Sequence, residues 1–502
     1  MRSLFLLVCL TLAKVVTSQE INNIWQTTWD GSSQFTRLPI ATPIKFSTHH
    51  ITHGPAAISE IIINDNASYQ QMEGIGATLT DSSALVLHNL KEANWNNYWR
   101  LMNEMFNTKP TGNAAGFNYI RVAIGATDFS AKLYSLDDIK GDTSFNHFNI
   151  SNAPDYLFSV LSDILSINDG VKIHIIPWSP PGWMKGSGTM NGGKLLPQYY
   201  RSYPTYLLKA VKGFESKGIP VYAISLQNEP QNNNPTYPTC TIDPEVEAKL
   251  GIALRSLLNA NGLGNVKIIA YEHNWADATT YPVQVLKHAP DTFSGVAFHC
   301  YNGTSTGNSF HKAFPNKAIY MTECTGLYGK GWWEDIKGNM ENIFTSNIQN
   351  WVQVVLMWNL ALDGSGSPML PGTNSCKDEH RTKNTCRPVV AVSKDGSYSF
   401  TQDFYVMAHT SKAIIPKDPG GPFGQRIGVT IKGSPSITVI ASAYVVRGRK
   451  STEPKQYTLV VLNPNDGTHV KPQQVTAAIV FRGQQATYTF PVGITTLWWS
   501  AP

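Results

Sequence analysis

AISLQNEP, residues 223–230, begins as a strand-like run of five residues that Pro230 brings to an end. Its last residues place the amide of Asn228 beside the carboxyl of Glu229 at the rim of a sheet. A later run, AIYMTECTG at residues 318–326, delivers Glu323 in the same way. Two carboxyls at strand ends suit glycoside hydrolysis, in which one protonates the leaving oxygen and the other attacks or activates water.

Strand-like runs alternate with helical stretches on both sides of residues 223–230. The helical stretches include residues 156–167, 200–217 and 244–261, and a last helix is predicted at 402–413. Buried strands are predicted at residues 74–80, 118–124, 172–178, 220–227, 266–271, 295–299, 318–323 and 352–359. This alternation indicates the α/β class, here a closed (β/α)8 TIM barrel. The active site of such a barrel lies at the carboxyl ends of its strands.

The pattern changes outside this region. After residue 416, short strands are separated by turns rich in Gly, Pro and Asn, which indicates an antiparallel β-sandwich. Residues 19–70 carry further strand-like pieces but too little for a domain of their own. We therefore predict a second, discontinuous all-β sandwich domain. The predicted division is a signal peptide at 1–18, N-terminal sandwich strands at 19–70, the barrel at 71–415 and the sandwich at 416–502.

The N-terminus predicts secretion. Residues 1–18 combine Arg2, an apolar run and the small residue Ser18, as secretory signal peptides do. Its removal takes away Arg2 and Lys14 and lowers the formal net charge of +5 by two. The remaining chain has no clustered Lys/Arg face for nucleic acid and no apolar run for stable membrane insertion. We expect a secreted, extracellular monomer, or alternatively a lysosomal or vacuolar one. N-glycosylation sequons, which fit secretion, stand at Asn66, Asn149 and Asn302.

Five cysteines remain after residue 18, an odd number for a secreted chain. Cys376 and Cys386 share one polar loop and are the favoured disulfide. Cys300 and Cys324 pair if their strands are neighbours, or else one of them is a buried thiol. Cys240 has no evident partner. No cofactor and no metal are predicted, because the cysteines lack C-x-x-C spacing and the histidines do not cluster at ligand intervals.

Seven motifs follow one another in the barrel region: GIGATLTDSSA (74–84), YIRVAIGATDFS (119–130), WSPPGWMK (178–185), ISLQNEP (224–230), AFHCY (297–301), YMTECTG (320–326) and VLMWNLALD (355–363). Together they resemble the glycoside hydrolases of family 30, and the match runs through residues 71–413. That family includes lysosomal glucosylceramidases and secreted endo-β-1,6-glucanases. The resemblance implies a barrel joined to a β-sandwich and a retaining mechanism.

The resemblance also implies roles for individual residues. Glu229 corresponds to the acid/base of the family and Glu323 to its nucleophile. The implied sugar-binding and supporting residues are Arg121, Asp128, Trp178, Asn228, His299, Tyr301 and Trp358. The HCY run at 299–301 and the TECTG run at 322–326 resemble the secreted β-1,6-glucanases more than the animal glucosylceramidases.

Each carboxyl has a chemical and a structural interpretation. Arg121 would keep Glu323 ionised for attack, and the alternative is a structural salt bridge. Burial and the charge of Glu323 would raise the pKa of Glu229, as a general acid requires, and the alternative is a Glu that starts a helix. A retaining mechanism places two such carboxyls about 5–5.5 Å apart.

The other side chains are weighed in the same way. Asn228 would hydrogen-bond the sugar 2-OH, Asp128 would accept from ring hydroxyls, and Tyr301 would hydrogen-bond the nucleophile. The alternatives are a turn Asn, an N-cap Asp and, for the walls Trp178 and Trp358, plain core packing. Four loop residues are either further sugar contacts or surface packing: His273, Trp275, Trp332 and Trp333.

We therefore predict a secreted retaining enzyme that hydrolyses the β-1,6-glucosidic linkages of β-1,6-glucan by double displacement. The first alternative is a glucosylceramidase, which would release glucose and ceramide from a glycolipid. An alternative of another class is a non-catalytic carbohydrate-binding protein on an enzyme scaffold. The presence of both glutamates argues against that alternative.

Overall fold

The computed structural model describes residues 19–48, 59–109, 112–380, 382–433, 439–467 and 471–502. The predicted signal peptide at 1–18 lies outside these residues. The described chain is divided between a barrel and a large sheet. No helix within the described ranges has the length and apolar character needed to cross a membrane.

Eight parallel strands close into a barrel, which confirms the predicted fold class. They are numbered here as barrel strands one to eight: Gly74–Leu79, Tyr119–Ile124, Lys172–Pro177, Val221–Ser225, Lys267–Asn274, Gly295–His299, Ala318–Glu323 and Val352–Asn359. Strand eight pairs with strand one and closes the ring. Their near-continuous apolar runs suit strands buried on both faces, by side-chain layers inside the ring and helices outside.

Helices pack around the ring and contribute apolar residues to its core. Their bounds are Asp81–Ala93, Trp95–Phe106, Asp155–Ile167, Tyr203–Ser216, Pro244–Ala260, Tyr281–His288, Gly307–Ala313, Trp332–Asn339 and Gln402–Ile414. Trp332–Asn339 continues through a π-helical turn, Met340–Thr345, into Ser346–Gln349. Short 3₁₀ turns are Ile150–Asn152, Gly182–Met184, Pro197–Tyr199 and Trp275–Asp277. Small sheets in the loops are Gly326–Leu327 with Cys386–Arg387, and Ala361–Leu362 with Val390–Val392 and Tyr398–Phe400.

The inside of the barrel is filled in layers. An apolar cluster comprises Tyr119, Ala223, Ile269, Ala297, Tyr320, Val354 and Leu356. Side chains two residues further along a strand point the same way. The next layer toward the carboxyl ends therefore contains Arg121, Ser225, His299 and Thr322, all fully buried. A buried polar layer thus lies directly below the mouth of the barrel.

The second unit is a ten-stranded sheet built from both ends of the chain. Its strands are Glu20–Thr28, Thr36–Arg37, Ile44–Lys45, Ser59–Gln71, Gln425–Lys432, Ile440–Val446, Lys455–Asn463, Val475–Phe481, Gln484–Phe490 and Gly493–Ala501. Phe481 and Trp499 lie on strands far apart in the hydrogen-bonded order, yet their ring centroids are 5.5 Å apart. The sheet therefore folds over one apolar core, as in a sandwich.

Helix Gln402–Ile414 joins the sheet to the barrel. Every residue of this helix from Asp403 onward is buried. Nδ1 of His409 lies 2.8 Å from Thr496 Oγ1, and its Nε2 lies 2.9 Å from Thr27 Oγ1. Thr27 and Thr496 come from strands near the two ends of the chain, so one buried histidine holds both ends against the barrel.

Candidate active site

A pocket of about 300 Å³ opens at the carboxyl ends of the barrel strands. Its wall consists of Asp128, Trp178, Asn228, Glu229, Tyr237, Tyr301, Glu323, Thr325, Leu327, Trp358, Ser375, Cys376 and Cys386. The structure thus brings both predicted catalytic glutamates together with five of the predicted binding residues. A larger cleft of about 710 Å³, with Leu133, Trp183 and Tyr199 in its wall, contains neither glutamate. The smaller pocket is therefore the candidate active site.

Glu323 is held at both carboxyl oxygens. Arg121 Nη1 donates to Oε2 at 2.6 Å, and the Tyr301 hydroxyl donates to Oε1 at 3.0 Å. Arg121 is fully buried, and its Nη2 also donates to Asn228 Oδ1 at 2.5 Å. Its guanidinium lies over the ring of Trp178, 4.8 Å from the centroid. This arrangement fixes the carboxylate in place through two hydrogen bonds, one of them charge-assisted.

Glu229 has a different set of partners. Its Oε1 lies 3.0 Å from His299 Nδ1 and 3.5 Å from His273 Nδ1, and its Oε2 accepts from Asn232 Nδ2 at 2.8 Å. The backbone of Glu229 is left-handed, with φ of 45°. Such a backbone costs roughly 1–3 kcal/mol for a residue other than glycine and is found preferentially at active sites.

The expectation of a raised pKa for Glu229 is wrong for this arrangement. Burial alone would raise the pKa, but the hydrogen bonds and charges of His273 and His299 outweigh burial and hold it below its usual value. Burial would lower the pKa of His299, yet the charges of Glu323, Glu229 and Glu272 raise it to about 9. Both pKa directions favour the histidine as the site of the proton in the Glu229–His299 pair.

Asp128 has one oxygen without a partner. Its Oδ2 accepts from Ser375 Oγ at 2.6 Å, whereas Oδ1 is buried and has no hydrogen-bond partner among the described residues. Burial raises the pKa of Asp128 to about 7, and the charges of Glu323 and Glu229 add to this while the Ser375 bond opposes it. A buried unpaired carboxyl oxygen in a pocket wall is available for a ligand hydroxyl.

The tryptophans fall into two groups. Trp178 and Trp358 line the pocket, where their rings stack with centroids 5.1 Å apart. Trp275 instead stacks on Phe298 at 3.8 Å in the core. Trp333 donates to Asp466, in the loop that follows strand Lys455–Asn463, and Trp332 packs against Tyr405. None of these last three tryptophans lines the pocket, and each packs against a neighbouring residue instead.

Two residues predicted to bind the sugar lie behind the pocket wall. Arg121 and His299 are fully buried and do not line the pocket. Each contacts a pocket carboxyl instead, Arg121 at Glu323 and His299 at Glu229. Because neither side chain lines the pocket, we place them as partners of the glutamates.

Two disulfides lie at the site. Cys376–Cys386 confirms the favoured pair, and both residues line the pocket. Cys300–Cys324 joins the ends of strands six and seven, which are neighbours in the ring. Cys240 is a buried free thiol.

Sequence reasoning missed several residues of the site, among them Tyr237, Ser375 and Glu272. Tyr237 and Ser375 belong to long loops, whose course local patterns do not reveal. Glu272 belongs to strand five and is fully buried beneath the pocket. Its only sequence signal is a carboxylate directly after the apolar run VKIIAY.

The histidines do cluster in space, although they are scattered along the sequence. Glu229, His273 and His299 each bring one possible ligand atom within 4.8 Å of the others. A metal ion fits such a spacing, yet the two-carboxyl chemistry of a glycosidase does not call for one. The predicted absence of a metal remains a prediction.

Comparison with known proteins agrees with this geometry. Residues 72–414 match the family model of the glycosyl hydrolase family 30 TIM-barrel domain. An endo-1,6-β-D-glucanase of Neurospora crassa is 30% identical over 469 residues, which cover 88% of this chain and 90% of that protein. A solved endo-β1,6-glucanase superposes with a TM-score of 0.79 at 26% identity, covering 96% of this chain and 99% of that one. The lysosomal acid glucosylceramidase of Mus musculus is 24% identical over 443 residues, 80% of this chain and 79% of its own.

Proposed function

The chain belongs to glycoside hydrolase family 30, and from that premise we propose that it is a secreted retaining enzyme that cleaves β-1,6-glucan with Glu323 and Glu229. The observation that carries the proposal is the presence of two glutamates with unlike partners in one pocket. A guanidinium and a phenol hold Glu323, whereas two histidines hold Glu229. Unlike environments are what a nucleophile and an acid/base require.

The reaction proceeds in two displacements. The Glu323 carboxylate attacks the anomeric carbon, the glycosidic bond breaks, and the proton held by the Glu229–His299 pair passes to the leaving oxygen. The sugar is then bound covalently to Glu323. In the second step Glu229 takes a proton from water, whose oxygen attacks the anomeric carbon and releases Glu323. Two inversions at one carbon retain its configuration.

The remaining pocket residues position the sugar. The amide oxygen of Asn228 is taken by Arg121, which leaves the amide nitrogen as donor for the sugar 2-OH. Asp128 offers its unpaired oxygen to another hydroxyl. Trp178 and Trp358 form an apolar wall against the C–H face of the ring.

The linkage is inferred from the relatives. Two of the proteins compared are endo-β-1,6-glucanases, and they cover nearly the whole chain. The glucosylceramidase alternative rests on a lower identity. Secretion is supported by the signal-like residues 1–18 and by two disulfides, which are typical of secreted proteins.

Product analysis tests the proposed substrate. We expect the purified protein to release gluco-oligosaccharides from linear β-1,6-glucan and to leave β-1,3-glucan, xylan and detergent-dispersed glucosylceramide intact. The lengths of the first products distinguish internal from terminal attack. Release of ceramide without attack on β-1,6-glucan would show that the protein is a glucosylceramidase.

Asp128→Ala is expected to lower kcat/KM on β-1,6-glucan by about 10- to 100-fold, because a hydrogen bond to a charged or buried carboxyl is lost. Steady-state kinetics on gluco-oligosaccharides measure this effect. Ser375→Ala is the matched control, since it removes the 2.6 Å bond to Asp128 but keeps the carboxyl. If Asp128→Ala keeps the wild-type kcat/KM, Asp128 does not bind the sugar.

A further inference from the structure

Glu272 is a fully buried carboxylate that three strands hold by hydrogen bonds. Its Oε1 accepts from Ser225 Oγ at 2.7 Å. Its Oε2 accepts from Thr322 Oγ1 at 2.6 Å and from Arg121 Nη2 at 3.1 Å. A buried charge with this many partners is fixed in position, because movement away from them would leave it unpaired at high cost.

Two histidines also face Glu272. Nε2 of His174 lies 3.4 Å from Oε1, and Nε2 of His299 lies 3.5 Å from Oε2. Both imidazoles are fully buried. Nε2 of His174 also lies 2.8 Å from Ser225 Oγ. The other ring nitrogen of His299, Nδ1, lies 3.0 Å from Glu229 Oε1. Only His299 therefore lies between two carboxylates.

A bulge aims Glu272 into the barrel. In the pairing of strands five and six, Ala297 is opposite Tyr271 and Phe298 is opposite His273, so that Glu272 is an extra residue. Its backbone and that of Tyr271 are left-handed, with φ of 57° and 77°. Glu247 Oε1 accepts from the Tyr271 amide at 2.9 Å, and the Glu272 carbonyl accepts from the Glu229 amide at 3.0 Å. Bulges beside active sites commonly redirect a side chain in this way.

Contacts run from Glu272 to both predicted catalytic carboxyls. In one direction they pass through Arg121 to Glu323, and in the other through His299 to Glu229. Without Glu272, Arg121 and a protonated His299 would be two neighbouring buried cations. Its negative charge offsets both of them.

The surrounding charges favour a proton on His299. Carboxylates of Glu229, Glu272 and Glu323 act on it, while His273 and Tyr301 face it edge-on with centroids 6.4 and 6.1 Å away. Burial lowers the pKa of His174 to about 4, despite Glu272 beside it. The charge of Glu272 also acts on three other ionisable groups, those of Arg121, Glu247 and Tyr119.

We propose that Glu272 is a positioning residue that fixes Arg121 against Glu323 and keeps His299 protonated beside Glu229, so that it governs the proton supply of the reaction. This inference rests on the proposed roles of Glu229 and Glu323. It adds a third carboxylate that never touches the sugar.

The first test measures histidine ring protonation by NMR in the free wild-type enzyme with carbon-13-labelled histidine. The His299 signal, assigned by its loss in His299→Gln, is expected to remain that of an imidazolium at neutral pH, while the signal of His174 is that of a neutral ring. A neutral His299 ring at pH 7 overturns the proposal. This measurement needs neither substrate nor a variant of Glu272.

The second test is the pH dependence of kcat/KM for Glu272→Gln. Removing a negative charge next to His299 makes its proton easier to lose, so the alkaline limb is expected to move toward acid by about 1–3 pH units. Glu272→Asp keeps the charge, so its alkaline limb should lie close to the wild-type pH. Ser225→Ala removes one hydrogen bond but no charge and should leave the limb in place.

These outcomes separate the inference from the proposed function. Equal loss of activity by Glu272→Gln at every pH, without movement of the limb, would reduce Glu272 to a structural role and overturn the proposal. Should Glu272→Gln not fold, as judged by circular dichroism, Glu272→Asp and the wild-type NMR measurement decide. Suppose that NMR shows a protonated His299 but the enzyme does not cleave β-1,6-glucan. That result would refute the glucanase proposal and leave the role of Glu272 intact.

Discussion

Glu323→Gln is expected to lower kcat on β-1,6-glucan by about 10⁴- to 10⁶-fold, the range seen when a nucleophile or its closest partner is removed. The amide keeps the size of the carboxylate but cannot form the covalent bond. Binding of gluco-oligosaccharides, measured by calorimetry, is expected to persist because the pocket wall is unchanged. Near-normal turnover by this variant would show that Glu323 is not the nucleophile.

Two further measurements sharpen this test. In Glu323→Gly, azide can enter the vacated space and attack the anomeric carbon, and we expect an α-glucosyl azide from an activated β-glucoside. Glu73→Gln is the matched control. Glu73 is a largely buried glutamate just before strand one, paired with Lys267 at 2.7 Å and bonded to the Tyr222 hydroxyl at 2.7 Å. Its loss should affect stability but leave kcat unchanged, since Glu73 lies at the amino end of strand one whereas the pocket opens at the carboxyl ends of the strands.

Glu229→Gln is expected to lower kcat on β-1,6-glucan by about 10²- to 10⁴-fold, the usual contribution of a general acid or base. The leaving sugar oxygen needs a proton, and the amide cannot relay one from His299. An aryl β-glucoside with an acidic phenol needs no such proton in the first step. Its phenol should therefore appear in a burst, followed by slow hydrolysis of the covalent intermediate.

Stopped-flow absorbance of the released phenol measures that burst. The wild-type enzyme and Glu73→Gln should release phenol at a steady rate under the same conditions. If Glu229→Gln slows the phenol release as much as it slows glucan hydrolysis, then Glu229 contributes to something other than proton transfer.

Local patterns in the sequence were sufficient for the barrel and its two glutamates. Strand six and strand seven begin and end at the predicted residues, because each is a short apolar run with polar neighbours. Strand five extends to Asn274 instead of Tyr271, because the charged Glu272 ends the apolar run from which the strand is predicted. Glu272 was therefore not recognised as an inward-facing residue.

The sequence by itself determined the order of strands and helices and the two strand ends that carry Glu229 and Glu323, since each depends on residues within one short run. The sequence motifs already indicate Arg121 and Tyr301 as partners of Glu323, but only the tertiary structure decided that two histidines are the partners of Glu229. Arg121, His299 and the adjacent pair Glu272 and His273 come from three different strands and meet because the sheet closes into a ring. The protonation of a buried carboxyl depends on charges within a few ångströms, whatever their distance along the chain. The low pKa of Glu229 and the pairing of the two chain ends in the large sheet therefore follow from contacts that no local pattern contains.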